Sequence, residues 1–226
     1  MKNKLFIALL TTLSLLFGAA SVSAAGLSAG LSVAYGQAEG SASENVGGQI
    51  ESDDADGEII MPSIFVELQL DLGPISPSIG IDYVPIAGES DTVENVRVAS
   101  VNACSCDDSG TNKASMDFED LTTVYVLVPL LDTGIYAKAG YSSMDVIIND
   151  KLDATSGSYS DEEADGYSVA LGFQRDGLIP FFDFMRLEAG YTSFDEMSQV
   201  NANNSDVKIE MDLEATYARL SLGKNF

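Results

Sequence analysis

The sequence predicts an all-β chain, an eight-stranded antiparallel up-and-down transmembrane β-barrel. Three observations predict it. Eight segments alternate apolar and polar residues with period two. The connections between them alternate short and long. The chain also ends on Tyr217-Ala218-Arg219-Leu220-Ser221-Leu222-Gly223-Lys224-Asn225-Phe226, an amphipathic strand closed by an aromatic residue.

The N-terminus reads as an export signal. Met1-Lys2-Asn3-Lys4 is basic, and Leu5 to Phe17 is apolar but too short for a spanning helix. Val22-Ser23-Ala24 is a small-residue cleavage site. Residues 1–24 are therefore expected to leave as a signal peptide, with 25–226 as one barrel domain. A retained N-terminal anchor helix is the other reading of the same stretch. The chain has 11 Lys+Arg, 35 Asp+Glu and no His, for a net charge of −24. Loss of Lys2 and Lys4 makes the remainder more acidic still. Such a chain repels phosphate backbones, which excludes nucleic acid as a natural partner. After Ala25 no stretch is long and apolar enough for a transmembrane helix. A membrane crossing then requires a closed barrel, which pairs every backbone group.

The strands follow in order. The first sets Leu27, Ala29, Leu31, Val33 and Tyr35 against Ser28, Gly30, Ser32 and Ala34. The second sets Ile64, Val66, Leu68, Leu70 and Leu72 against Ser63, Phe65, Glu67, Gln69 and Asp71. The third sets Ile79, Ile81 and Tyr83 against Ser78, Gly80 and Asp82. The fourth, Leu121 to Leu131, is almost continuously apolar, so its facing stays open. The fifth sets Ala137, Ala139 and Tyr141 against Tyr136, Lys138, Gly140 and Ser142. The sixth sets Tyr167, Val169, Leu171 and Phe173 against Ser168, Ala170, Gly172 and Gln174. The seventh sets Met185, Leu187, Ala189 and Tyr191 against Arg186, Glu188, Gly190 and Thr192. The eighth runs from about Ile209 to Phe226.

Short turns are expected at Gly73-Pro74, Asp132-Thr133-Gly134 and Arg175-Asp176-Gly177, and long loops near 37–61, 86–119, 146–165 and 194–208. A hairpin inside 91–118 would raise the strand count to ten. Eight is preferred, because Met116 to Leu131 reads as one strand. Alternation alone does not say which face points inward, and a soluble lipocalin-like barrel has the same period. Three features favour the membrane version. The polar faces are rich in Gly, Ser and Ala, which suits a crowded lumen. Tyr35, Tyr83, Tyr141, Tyr167 and Tyr191 lie at the loop-side ends of their segments, where an interfacial girdle belongs. An aromatic C-terminus has no evident role in a soluble barrel.

The last strand carries a parity conflict. Ile209, Met211, Leu213, Ala215 and Tyr217 are odd-numbered, whereas Ala218, Leu220, Leu222 and Phe226 are even. One regular strand does not put both sets on lipid. The expectation is a β-bulge near Thr216–Arg219, or an upstream segment that rises above the membrane. The even set is expected on lipid, with Lys224 snorkelling to the interface.

Two stretches, Tyr136-Ala137-Lys138-Ala139-Gly140-Tyr141 and Met185-Arg186-Leu187-Glu188-Ala189-Gly190-Tyr191-Thr192, resemble strands of the small bacterial outer-membrane β-barrels. That family includes the OmpA transmembrane domain and the opacity and surface-antigen proteins. The resemblance covers the whole mature chain as a pattern. It implies an eight-stranded monomer in the outer membrane of a Gram-negative bacterium, with tight periplasmic turns and four long acidic extracellular loops. It also implies insertion by the outer-membrane assembly machinery, which would read the last strand through Leu220, Leu222 and Phe226. Lys224 departs from the pattern, since many relatives carry an aromatic or apolar residue there. No counterpart of the peptidoglycan-binding domain of the OmpA type is expected.

The absence of His speaks against catalysis. Outer-membrane barrel enzymes resemble one another in depending on His, whose unperturbed pKa suits proton transfer near neutral pH. Acid pairs are too abundant here to single one out. Glu67, Asp71, Asp82, Lys138, Arg186 and Glu188 fall on faces expected to point into the lumen. Charges there must be paired or wet. They form either a salt-bridge plug or a selectivity element of a narrow channel, and eight strands leave an interior only just wide enough for side chains. Cys104 and Cys106 form one C-x-C pair. A local disulfide and free thiols both remain open, because the ring is tight. A metal site lacks further ligands, and no cofactor is expected. The stretch Ser52-Asp53-Asp54-Ala55-Asp56-Gly57 partly resembles a calcium loop, but Ser63 stands where the bidentate Glu belongs. The loop acids are expected as a solvated anionic surface that divalent cations bridge to lipid head groups.

The expected function is that of a non-enzymatic outer-membrane barrel that anchors the envelope and displays acidic loops, for adhesion, surface contact or a structural role. The alternatives are a narrow channel for ions or small apolar solutes, and a soluble exported ligand-binding barrel.

Overall fold

The structure is a computed structural model, and it describes residues 23–46, 49–73, 75–89, 93–97, 110–130, 133–151, 161–201 and 204–226. Residues 1–22 of the expected signal peptide, and Cys104 and Cys106, lie outside them. Among the described residues ten strands form: β1 (Ser23–Val46), β2 (Gln49–Asp71), β3 (Ser78–Glu89), β4 (Val93–Arg97), β5 (Gly110–Pro129), β6 (Ile135–Lys151), β7 (Glu162–Asp176), β8 (Phe184–Phe194), β9 (Met197–Asn201) and β10 (Asn204–Asn225). Eight of them make a closed antiparallel barrel in the order β1-β2-β3-β5-β6-β7-β8-β10, and β10 pairs back onto β1. The short β4 and β9 pair only with loop-side extensions of β5 and β10. The hairpin weighed inside 91–118 thus exists, but it adds nothing to the barrel wall.

Side-chain period decides the faces. On β1, Leu31, Val33 and Tyr35 are exposed while Ser32, Ala34 and Gly36 are buried. The same division holds on β7, with Tyr167, Val169, Leu171 and Phe173 outside and Ser168 and Ala170 inside. Leu31 is 58% exposed and Leu187 59%, although both sit mid-strand. An outer wall of Leu, Ile and Val around a charged interior is the reverse of a water-soluble barrel, and it matches a hydrocarbon surround. The almost continuously apolar stretch from Leu121, which forms the wall part of β5, resolves in the same way. Tyr125 and Leu127 are buried, and Val126 is outside.

The short turns sit at one end. Gly73, Gly134 and Gly177 have φ of +88°, +84° and +68°, a region that costs a side chain but not glycine. At the other end the strands overrun the wall. β1, β2 and β10 have 24, 23 and 22 residues, about twice the roughly 9–11 that cross a bilayer. Much of what the sequence presents as long loops is therefore strand: β1 and β2 stay in register out to Val46 and Gln49. Polar residues sustain this ladder because the pairing is made by backbone groups. The partial calcium loop at 52–57 lies inside this extended pairing, with Asp54 opposite Ser41 and Asp56 opposite Glu39.

The last strand decides between its two expectations in favour of the upstream segment that rises above the wall. No bulge interrupts β10 near Thr216–Arg219, and the strand keeps one register against β1 from Val207 to Asn225. Its odd residues Met211, Tyr217, Arg219 and Ser221 are buried, and Ala218, Leu220 and Lys224 are exposed. The parity conflict disappears because the upstream odd set faces the interior above the membrane band rather than lipid. Register breaks lie elsewhere, at Ala24–Gly26, Ile86–Gly88, Asn204–Lys208 and on β5. On β5 Glu119 pairs with Asp145 and Thr122 with Ser143, so Asp120 and Leu121 face one residue. Asp120 takes φ +54° at this bulge.

Candidate functional site

The interior is built in layers from inward residues of every wall strand. Three ion pairs occupy the middle. The Arg186 guanidinium on β8 grips Glu67 on β2 through both terminal nitrogens, with Nη2 2.7 Å from Oε2. Its Nε donates to Gln174 Oε1 at 2.8 Å. The Tyr125 hydroxyl donates to Glu67 Oε1 at 2.6 Å. Lys138 Nζ on β6 lies 2.6 Å from Glu188 Oε1 on β8. The Tyr136 hydroxyl donates to the other Glu188 oxygen at 3.2 Å. Arg219 Nη1 on β10 lies 3.0 Å from Asp82 Oδ2 on β3, which also accepts from Ser63 Oγ at 3.1 Å. All three pairs tie strands that are not neighbours in the wall, so they act as spokes rather than edge contacts.

Aromatic rings complete the layer. Lys138 Nζ sits 4.7 Å from the centroid of the Tyr125 ring, and the Arg186 guanidinium 4.5 Å from that of Phe184. Such contacts shelter a cation whose charge a dry interior would otherwise penalise. Glu67 is only 2% exposed. A carboxylate so deep is tolerable because guanidinium and phenol together satisfy it. Above the ion pairs, Ala34, Met61, Val84, Ala87 and Tyr217 form one apolar cluster. Met144, Val146, Ala164, Phe194, Met197 and Met211 form another towards the long-loop mouth. Methionine suits this place, because a flexible thioether fills irregular gaps.

Of the six charges that the sequence places in the lumen, the structure brings five inside: Glu67, Asp82, Lys138, Arg186 and Glu188. Asp71 is a correction. It is exposed, and its Oδ1 accepts from Gly73 N–H at 3.1 Å. It ends β2, and a carboxylate there closes the turn on its own backbone instead of reaching the lumen. Sequence reading missed Arg219, the sixth buried charge. The signal was present in the parity of the last strand. Once Leu220 and Leu222 face out, Arg219 must face in. Of the expected assembly-signal residues, Leu220 is exposed, Leu222 half-buried and Phe226 exposed. Phe226 N–H donates to Leu27 O at 2.8 Å.

The tyrosine girdle stands between wall and overhang. Tyr35, Tyr167 and Tyr191 are exposed outside, and Tyr141 meets Tyr167 edge-on with centroids 5.4 Å apart. Tyr83 donates to Asp120, and Tyr191 to Glu214. The Tyr83 and Tyr191 rings thus lie on the apolar wall with their hydroxyls tied to carboxylates of the overhang. Beyond the girdle the outward face turns acidic. Asp56, Glu39 and Glu214 lie side by side across β2, β1 and β10. Among the described residues no group of three or more His, Cys, Asp or Glu side chains is arranged to hold a metal ion.

No protein-family model and no curated protein matches the sequence. Solved structures do match in fold. The outer-membrane protease OmpT of Escherichia coli is 14% identical with a TM-score of 0.40, over 92% of this chain and 99% of that one. Neisserial surface protein A is 11% identical with a TM-score of 0.32, over 85% and 97%. The attachment invasion locus protein Ail of Yersinia pestis is 10% identical with a TM-score of 0.31, over 86% and 98%. The chain is similar in fold to these outer-membrane β-barrels.

Proposed function

We propose that the protein is a non-enzymatic outer-membrane barrel that anchors in the envelope and holds a rigid acidic overhang at the surface, for contact, adhesion or a structural role. One observation carries this reading. The barrel interior is crossed by three buried ion pairs and closed above them by two apolar clusters, behind an outer wall of exposed aliphatic side chains. A filled lumen suits an anchor. A pore needs a continuous wet path, and the clusters interrupt one.

The overhang is the part that meets the outside. Its strands continue the barrel wall, with β1 in one register against β2 and β10 out to Val46, so it is presented as sheet rather than as loose loop. Specificity then resides in its outward carboxylates and in the connections between its strands. The chemistry inside argues for structure over catalysis. In the interior Glu67, Asp82, Glu188, Tyr125 and Tyr136 all have partners, and the chain has no His to move a proton near pH 7.

The test has two stages. Fractionation with outer membranes, and a gel mobility that shifts on boiling, are expected. A soluble periplasmic pool without that shift would defeat the reading. Planar-bilayer recording is then expected to give no stable conductance above the empty membrane. Steady single-channel steps would transfer the assignment to a narrow channel.

A further inference from the structure

Among the described residues of the short-turn end, the β7–β8 turn carries the most exposed apolar side chain. Residues 177–183 are Gly-Leu-Ile-Pro-Phe-Phe-Asp, with no charge between Asp176 and Asp183. Phe181 is 91% exposed and Leu178 55%. Phe181 also has φ +76°, a conformation that bulky residues rarely adopt. The turn is nonetheless held in place. Gly177 N–H donates to Asp183 O at 3.0 Å, and Asp183 N–H to Gly223 O at 2.9 Å. Asn225 N–H donates to Asp183 Oδ2 at 2.8 Å. An apolar tip fixed in an exposed geometry calls for something apolar to cover it.

Its surroundings say what covers it. The outward face of β7 and β8 leads to the turn through Leu171, Phe173 and Leu187, which belong to the apolar wall. Arg175 lies one residue before the end of β7, and Lys224 lies near the end of β10, the strand paired with β8. Both are exposed, and neither has an ion-pair partner among the described residues. The nearby acids are engaged locally, Asp176 with Gln174 Nε2 at 3.0 Å and Asp183 with the Asn225 backbone. In a chain with 11 basic and 35 acidic residues, two unpaired cations beside one apolar tip fit phosphate above acyl chain.

We propose that the 177–183 turn, flanked by Arg175 and Lys224, is an interfacial anchor for glycerophospholipid. Phe181 and Leu178 enter the acyl boundary of the leaflet on the short-turn side, and the two cations meet its phosphates. The anchor fixes the depth of the barrel at one corner, opposite the acidic overhang. It rests on the membrane reading above.

The protein has no tryptophan, so one introduced indole reports its own site. The full chain carrying Phe181→Trp, and a wall control carrying Leu187→Trp, are refolded into phosphatidylcholine–phosphatidylglycerol vesicles with plain or brominated acyl chains. Both are expected to emit at shorter wavelength than in urea, and both to be quenched by bromine. Adding Arg175→Gln and Lys224→Gln is expected to weaken the quenching of Phe181→Trp and to leave that of Leu187→Trp alone. Quenching that ignores the two cations overturns their part in the anchor. If Leu187→Trp is quenched while Phe181→Trp is not, and acrylamide reaches the latter, the turn lies in water. The anchor then fails and the membrane reading stands. If neither is quenched, the membrane reading fails and takes the anchor with it. Leu178→Trp repeats the measurement outside the left-handed position, and boiling-dependent gel mobility verifies folding of every variant.

Discussion

Tyr125 occupies the space that a side chain on Gly80 would fill. The two face each other across β3 and β5, and a Cβ on Gly80 would fall 2.5 Å from the ring Cζ and 2.8 Å from Glu67 Cγ. The missing side chain lets the ring swing in and put its hydroxyl on Glu67. Four more inward pairs repeat the device: Gly30 with Phe65, Gly172 with Tyr136, Gly190 with Tyr217 and Gly223 with Phe184. Each pair joins hydrogen-bonded neighbours in the wall. The lumen is thus closed by large rings laid over glycines, a way of covering bare backbone in a sheet.

Gly80→Ala is accordingly expected to destabilise the barrel by about 1–3 kcal/mol, as overpacking does in a filled core. It should also disturb the Tyr125–Glu67 hydrogen bond. Urea unfolding in detergent micelles reads the loss. The double variant Gly80→Ala with Tyr125→Ala should cost less than the two single changes added together, because the second removes the clash made by the first. Strict additivity would mean that the ring does not rest on the glycine.

Lys138 and Glu188 test whether the ion pairs are a plug. Lys138→Met keeps the volume but strands a buried carboxylate, with an expected cost of about 3–5 kcal/mol. Pairing it with Glu188→Leu removes the stranded charge. The double variant is expected to recover most of the loss, since buried pairs replaced by apolar residues are often neutral. Thermal unfolding in detergent compares the three. An unchanged midpoint for Lys138→Met would place Lys138 in water instead.

Arg219 and Asp71 make a sharper contrast, because sequence reading ranked them the other way. Arg219→Met removes the partner of buried Asp82, so a loss similar to that of Lys138→Met is expected. Asp71→Asn touches only an exposed turn, so a change within about 0.5 kcal/mol is expected. Equal effects at both positions would contradict the placement of these two charges.

What the chain reveals on inspection follows from which interactions are periodic. Strand faces are legible because every second residue of β1, β7 and β8 shares an environment. Five lumen charges were legible for the same reason. Their partners were not, since Arg186 and Glu67 lie 119 residues apart and meet only once the barrel closes. Arg219 was hidden by the conflict in the last strand, because its upstream half leaves the membrane without leaving the sheet. The overhang itself was obscured by its polarity. Strands paired above a bilayer need no apolar stripe on their outer face, so 37–61 resembles a loop in composition alone.

The acidic row of that overhang carries the last prediction. Glu39 stands between Asp56 and Glu214 on adjacent strands, and all three are exposed. Residues directly opposite in a sheet hold their Cβ atoms about 4.5–5.5 Å apart, and like charges so placed repel. The repulsion is tolerated because the rest of the ladder and the apolar clusters beneath hold the strands together. Glu39→Gln is therefore expected to stabilise the overhang at low ionic strength, seen as slower amide exchange along β1 and β10. The gain should fade as salt shortens the screening length to about 3 Å near 1 M. Magnesium should remove it at lower concentration than sodium, because a divalent ion neutralises neighbouring carboxylates together. Should Glu39→Gln loosen the overhang instead, the row would be held by an attractive contact that depends on the Glu39 carboxylate.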